Sequence, residues 1–128
     1  AAVDHAMSLA ERGKTDAAWT AMTHLLIEYP ENHNVCYGMG TVHAIKGEYK
    51  ESVKWFDKAI SIFPYFVEAY FNKATSYQKQ LDVANAIRAY RKVVEMGDPN
   101  YIPVKQAISF LDNMAVSIPR IEGGCVPF

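Results

Sequence analysis

The chain has 128 residues, 50% hydrophobic and 21% charged with six prolines, which is enough for one domain with its own core and far from disordered or fibrous compositions. A formal charge of −1 offers no general handle on nucleic acid, and no run approaches the roughly 20 apolar residues of a membrane-spanning helix. Neither a nucleic-acid nor a membrane partner is therefore expected.

The N-terminus shows neither a charged-then-apolar leader pattern nor an initiator methionine, so the chain reads as a processed form or a piece of a longer protein. Two cysteines, Cys36 and Cys125, make no disulfide framework and fit a reducing compartment; the expected location is the cytoplasm. In chain order, Ala2, His5, Ala6 and Leu9 begin a short amphipathic helix that stops near Gly13. A second helix carries Ala18, Met22, Leu25 and Leu26 and closes at Pro30. Cys36, Met39, Gly40 and His43 recur at i, i+3, i+4 and i+7, one face of a third helix stopped by Gly47. Tyr49 opens a fourth, with Val53, Phe56, Ala59, Ile60 and Phe63 inward and Pro64 behind. Tyr70, Ala74 and Tyr77 define a fifth, and Val83, Ala86, Ile87, Tyr90, Val93 and Val94 a sixth. Gly97-Asp98-Pro99-Asn100 is a turn signal. A last stripe, Val104, Ala107, Ile108, Leu111, Ala115 and Ile118, predicts a seventh helix, with Pro103 tolerated in its first turn and Pro119 ending it.

A period of 34 residues runs through these elements. Small residues align at Ala6, Gly40 and Ala74 and at Ala18, Ser52 and Ala86. Large ones align at Met22, Phe56 and Tyr90, and turn residues at Gly13, Gly47 and Leu81; Pro30 and Pro64 close successive copies, and Pro99 closes the third one residue late. Antiparallel helices approach closely only where a side chain is nearly absent. Gly40 and Ala74 supply that gap and Phe56 and Tyr90 fill it. Glycine inside a helix costs about 1 kcal/mol against alanine, so Gly38 also needs a reason, which no column supplies.

These columns resemble the tetratricopeptide repeat: in the second copy Met39, Gly40, Ser52, Phe56, Ala59 and Pro64 match, and in the third Tyr70, Ala74, Tyr77, Ala86, Tyr90 and Pro99, while Lys73 departs where an apolar residue is usual. The resemblance implies an all-α, right-handed solenoid of helix–turn–helix repeats. One domain is expected over residues 1–118, with repeats at about 1–32, 33–66 and 67–100, a capping helix over about 102–118, and an irregular tail over 119–128. It further implies that the first helix of each pair lines a concave groove. The faces not used for packing there are Met7, Ala10 and Glu11; Asn34, Tyr37, Gly38, Thr41 and Ile45; and Glu68, Phe71, Asn72, Thr75, Gln78 and Lys79. Tyr37 and Phe71 share a column, either as anchors for a partner or as packing on the next repeat; Gly38 beside them would keep the groove floor open.

The expected activity is therefore protein or peptide binding by a scaffold or adaptor, without catalysis or cofactor. Some members of the family clamp the terminal carboxylates of heat-shock chaperones with basic and amide residues at five groove columns. Those columns here hold Val3, Met7, Gly38, Glu68 and Asn72, none basic and one acidic, so a chaperone carboxylate tail is not the expected ligand and an apolar or mixed segment is. Self-assembly through open repeat ends, favoured by the short first helix, and service as a small chaperone for an exported protein are the alternatives. Cys36, His43 and His33 are too few to make a zinc site and occupy packing columns. No phosphate loop, nucleophile elbow or paired-histidine helix is present. Lys50, Lys54 and Lys58, and then Arg88, Arg91 and Lys92, form basic runs on second helices, interspersed with Glu51, Asp57 and Glu95 as on a solvated face. Cys125-Val126-Pro127-Phe128 resembles a prenylation box only formally, with proline in its third place and no polybasic run ahead of it.

Overall fold

A computed structural model describes residues 2–117, and every regular element among them is an α-helix. In chain order these are α1 (Ala2–Glu11), α2 (Thr15–Glu28), α3 (His33–Ile45), α4 (Tyr49–Ile62), α5 (Val67–Lys79), α6 (Val83–Met96) and α7 (Ile102–Ser117). Ile118 and the tail, with Cys125 and the box it begins, lie outside the described residues.

Local chemistry sets these bounds. The Asn32 side chain accepts hydrogen bonds from the backbone N–H of Asn34 (2.9 Å) and Val35 (3.2 Å), capping α3. Asp82 caps α6 by accepting from Asn85 N–H (3.2 Å) and Asn85 Nδ2 (2.7 Å), and those bonds hold its carboxyl below the usual range. The three intra-repeat turns share one geometry, with Gly13 and Gly47 at φ +82° and Leu81 at φ +61°. Each is fixed by the same two backbone bonds, Lys14 N–H to Leu9 O and Gly13 N–H to Ala10 O in the first copy, with Glu48 and Gly47, then Asp82 and Leu81, repeating them.

Each helix packs on the next in sequence. The odd-numbered helices also touch one another, α1 with α3, α3 with α5 and α5 with α7, whereas α2, α4 and α6 make no such succession among the described residues. The stack is therefore a solenoid that curves toward its odd-numbered helices, which form its inner layer. The core runs through it as three clusters. One, around Ala6, Ala18, Met22, Val35 and Met39, joins α1 to α3. One, around Ala74, Ala86, Tyr90, Val93, Val104 and Ala107, joins α5 to α7. Cys36, Ala59, Phe66 and Ala69 bridge them.

The small-residue columns mark the close crossings. A Cβ on Gly40 would stand 2.7 Å from the ring of fully buried Phe56, so α3 and α4 meet there as expected. A Cβ on Gly38 would stand 2.5 Å from Met22 Cε. Gly38 is therefore buried at the α2–α3 crossing and does not form a groove floor; its packing reason is Met22, in the preceding repeat. Ala10 is likewise buried. Five other expectations are reversed by position at helix ends, among them Ala2 and His5, which lie exposed on the first turn of α1 rather than on its packed stripe. Phe63, placed on the inner face of α4, is its C-cap, exposed and stacked beside His33 and Phe66. Val83 opens α6 from the surface, and Ala115 is exposed on the last turns of α7.

Candidate partner-binding groove

The inner layer carries two recesses. The larger, of about 480 Å³, lies between α1, the end of α2, α3 and the start of α5, with Val3, Met7, Leu25, Val35, Tyr37 and Phe66 as apolar surface and Asp4, Asn34 and Glu68 among its polar groups. The smaller, of about 200 Å³, lies further along α3 and α5, lined by Thr41, Ile45, Phe56, Asn72, Thr75 and Lys79 among others. The structure thus brings Met7, Asn34, Tyr37 and Glu68 together in one recess, and Thr41, Ile45, Asn72, Thr75 and Lys79 in the other. Glu11, Phe71 and Gln78 line neither.

Tyr37 lines the larger recess and touches two residues that line the smaller, Phe56 and Asn72. Its ring packs on Phe66 (centroids 4.9 Å apart) and Phe56 (5.7 Å), and its hydroxyl accepts a hydrogen bond from Asn72 Nδ2 at 2.7 Å. Burial, then the charge of Glu68, push its phenol above the ordinary value, and Glu11 acts the same way. Phe71, one repeat on, meets Tyr90 edge-on at 5.7 Å. Both aromatics are thus partly buried against the second helix of their own repeat, and Tyr37 also against the entry to the next, rather than projecting freely. Gln78 is engaged as well, its Oε1 accepting from Tyr90 Oη at 2.8 Å. Thr41 and Thr75 donate their hydroxyl protons to the carbonyls of Tyr37 (3.0 Å) and Phe71 (3.1 Å), so toward a ligand these hydroxyls are acceptors.

Glu68 is held in place by Tyr101, at the entry to α7, whose hydroxyl donates to Glu68 Oε2; this bond and the neighbouring negative charge lift the Tyr101 phenol to about 12. Asp4 and Phe66 line the larger recess and Tyr101 anchors its Glu68, and the repeat columns reveal none of these three roles. Phe66 falls in the inter-repeat turn, where the other copies hold Asn32 and Asn100, so periodicity carries no trace of it; the run of aromatics after Pro64 is the one local signal. Cys36 and His43 are buried, and burial pushes the Cys36 thiol up. His43 Nδ1 meets Glu48 Oε1 at 2.7 Å, while His33 stacks on Phe63 and Phe66. No group of three or more potential metal ligands converges among the described residues, and no described helix is long and apolar enough to cross a membrane.

A curved stack of helix pairs with an inner groove is a helical-repeat solenoid. Sequence patterns of the tetratricopeptide repeat match residues 3–65 and 68–96, and the chain belongs to the tetratricopeptide repeat family. Tetratricopeptide repeat protein 8 of Caenorhabditis elegans is 35% identical over 69 residues, which is 54% of this chain and 14% of that protein. The chain spans 14% and 7% of the length of two curated relatives that it matches. Its fold is shared by the Yersinia enterocolitica type III secretion translocator chaperone SycD (TM-score 0.81, 14% identity, 91% of this chain and 82% of that one). It is shared too by the first repeat domain of Spaghetti (RPAP3) bound to the HSP90 peptide SRMEEVD (TM-score 0.78, 16% identity, 91% of each).

Proposed function

We propose that this chain is a protein-interaction module that holds a segment of a partner protein along the inner layer of its solenoid. The observation that carries this reading is the recess of about 480 Å³, in which an apolar floor of Val3, Met7, Val35 and Phe66 is edged by Asp4, Asn34 and Glu68. Such a site buries one or two apolar side chains of a peptide and orients them with a few polar groups. The smaller recess continues the same face past the Tyr37–Asn72 bond, so an extended segment can engage both.

Charge selects the segment. At the columns where chaperone-tail binders carry basic and amide groups stand Val3, Met7, Gly38, Glu68 and Asn72. Gly38 lies beneath Met22, and the Glu68 carboxylate, steadied by Tyr101, adds a negative charge to the lining of the larger recess, which disfavours a carboxylate ligand there. A partner with apolar side chains and no carboxylate at that point fits better.

Selection of peptides from a displayed library on the immobilised chain tests this. Captured peptides should be apolar or mixed, the Met7→Glu variant should release them, and labelled SRMEEVD should give no saturable change in anisotropy. Capture that survives Met7→Glu overturns the groove reading, and saturable binding of SRMEEVD overturns the charge argument. Light scattering across a dilution series separates partner capture from self-assembly, the expected result being one unchanging monomer mass.

A further inference from the structure

We propose that the recess between α5 and α6, on the side of α5 opposite the groove, is a second docking site that takes a carboxylate-rich peptide segment. Tyr70, Lys73 and Tyr77 recur at i, i+3 and i+7 on α5, roughly half a turn away from Glu68, Asn72, Thr75 and Lys79. With Arg88, Arg91 and Lys92 of α6 they enclose about 460 Å³.

The lining is strongly biased in charge for a chain with a formal charge of −1: four cations and one carboxylate, Glu95. Glu95 takes Lys92 at 3.5 Å, and Lys73 is held by Asp57 of α4 at 2.6 Å. The two guanidinium groups are left over. Arg88 donates to the neutral Asn85 Oδ1 (2.8 Å), and the nearby Asp82 is occupied by Asn85. Arg91 has no hydrogen bond or ion pair among the described residues, and neither the Tyr70 nor the Tyr77 hydroxyl has a partner there. The recess therefore offers one free guanidinium fork, a second bonded only to a neutral amide, and two phenolic donors to one ligand, the donor set that suits carboxylates.

Lys73 adds an independent observation. One repeat earlier its position is Met39, which is core. Here an ammonium is set into the wall, only 21% exposed, over the Tyr70 ring at 5.9 Å. A lysine in a core column forfeits apolar burial, and here it faces the recess.

The confinement of the positive charge favours a peptide over nucleic acid. Along α4, Lys54 pairs with Glu51 and Lys58 with Glu31, so no continuous basic track leads away from the recess, as one following a phosphate backbone would need. Acidic side chains on a short segment match a compact cluster.

A labelled short poly-glutamate peptide is the probe, with poly-glutamine of equal length and a single-stranded RNA as competitors, followed by fluorescence anisotropy and amide chemical shifts on the whole chain. Saturable binding is expected, with shifts confined to α5 and α6. It should weaken about tenfold in Arg88→Glu/Arg91→Glu, whose side chains are exposed and whose helicity circular dichroism can verify. Lys105→Glu on α7 should bind as the wild type does. Absence of binding, equal loss in Lys105→Glu, shifts elsewhere, or tighter binding of the RNA would each overturn the proposal.

Discussion

Leu81 stands where two glycines stand in the sister turns, with φ +61° and 85% of its surface exposed. The left-handed conformation costs a non-glycine residue about 1–2 kcal/mol, part of which glycine returns through its freer unfolded chain. Leu81→Gly should therefore stabilise the protein by about 0.5–1 kcal/mol, read as a higher urea midpoint with an unchanged slope. The turn position is legible in the 34-residue register; that leucine adopts the same backbone is not, because the cause is the pair of bonds from Leu81 and Asp82 N–H back into α5. Tyr101 makes the second case at this scale. Its phenol is raised from 10 to about 12, first by the hydrogen bond to Glu68, so the fold favours the protonated form. The stabilisation it contributes is whole below pH 10 and is lost as pH rises through about 12. The difference in melting temperature between wild type and Tyr101→Phe should hold steady below pH 10 and fade above it. A difference that persists at the alkaline end would show that the bond to Glu68 is not its source.

Between elements, the column Ala18, Ser52, Ala86 reads in the sequence as three small residues at close crossings, and all three are fully buried. What the column conceals is that the middle copy is polar for a reason. Ser52 Oγ donates to Tyr49 O at 2.7 Å, so in the 2.8 Å bond between Ser52 and Ser76 the proton comes from Ser76. This buried link ties α4 to α5 across the boundary between repeats, close to nothing that a single-repeat pattern can indicate, since its partner is 24 residues away. Ser52→Ala leaves the Ser76 hydroxyl buried without an acceptor from α4 and should cost about 1–3 kcal/mol. Replacing both serines with alanine should cost less than the two single changes added, because no orphaned hydroxyl remains. Additive costs in thermal or denaturant unfolding would refute the pairing. Gly38 was illegible for a similar reason: its partner, Met22, belongs to the repeat before it, and periodicity describes each copy without saying which neighbour fills a gap.

For the whole molecule, helical period divides α3 and α5 into a packed and an open face, with Asn34, Thr41, Asn72 and Thr75 on the open one, and the resemblance to the repeat family is what implies that this face lines a groove. The recesses themselves arise where several elements converge, and the larger one takes Phe66 from an inter-repeat turn and Glu68, which Tyr101 holds from the entry to α7. The same layered construction governs stability. The cluster joining α1 to α3 and the one joining α5 to α7 share no buried member and communicate through Cys36, Ala59, Phe66 and Ala69. In such a stack each repeat is stabilised by its neighbours, and damage at one end need not spread. Val104 is the test position. It is 1% exposed, it covers the open side of α5 and α6 with Ala107, and its methyl group fills the place that a Cβ on Gly97 would take. Val104→Asp buries an unpaired carboxylate there and should destabilise the C-terminal cluster by about 3 kcal/mol or more. Hydrogen exchange should then accelerate through α5, α6 and α7 while the amides of α1 to α3 keep most of their protection. Uniform acceleration along the chain would mean instead that the four bridging residues couple the ends into one cooperative unit.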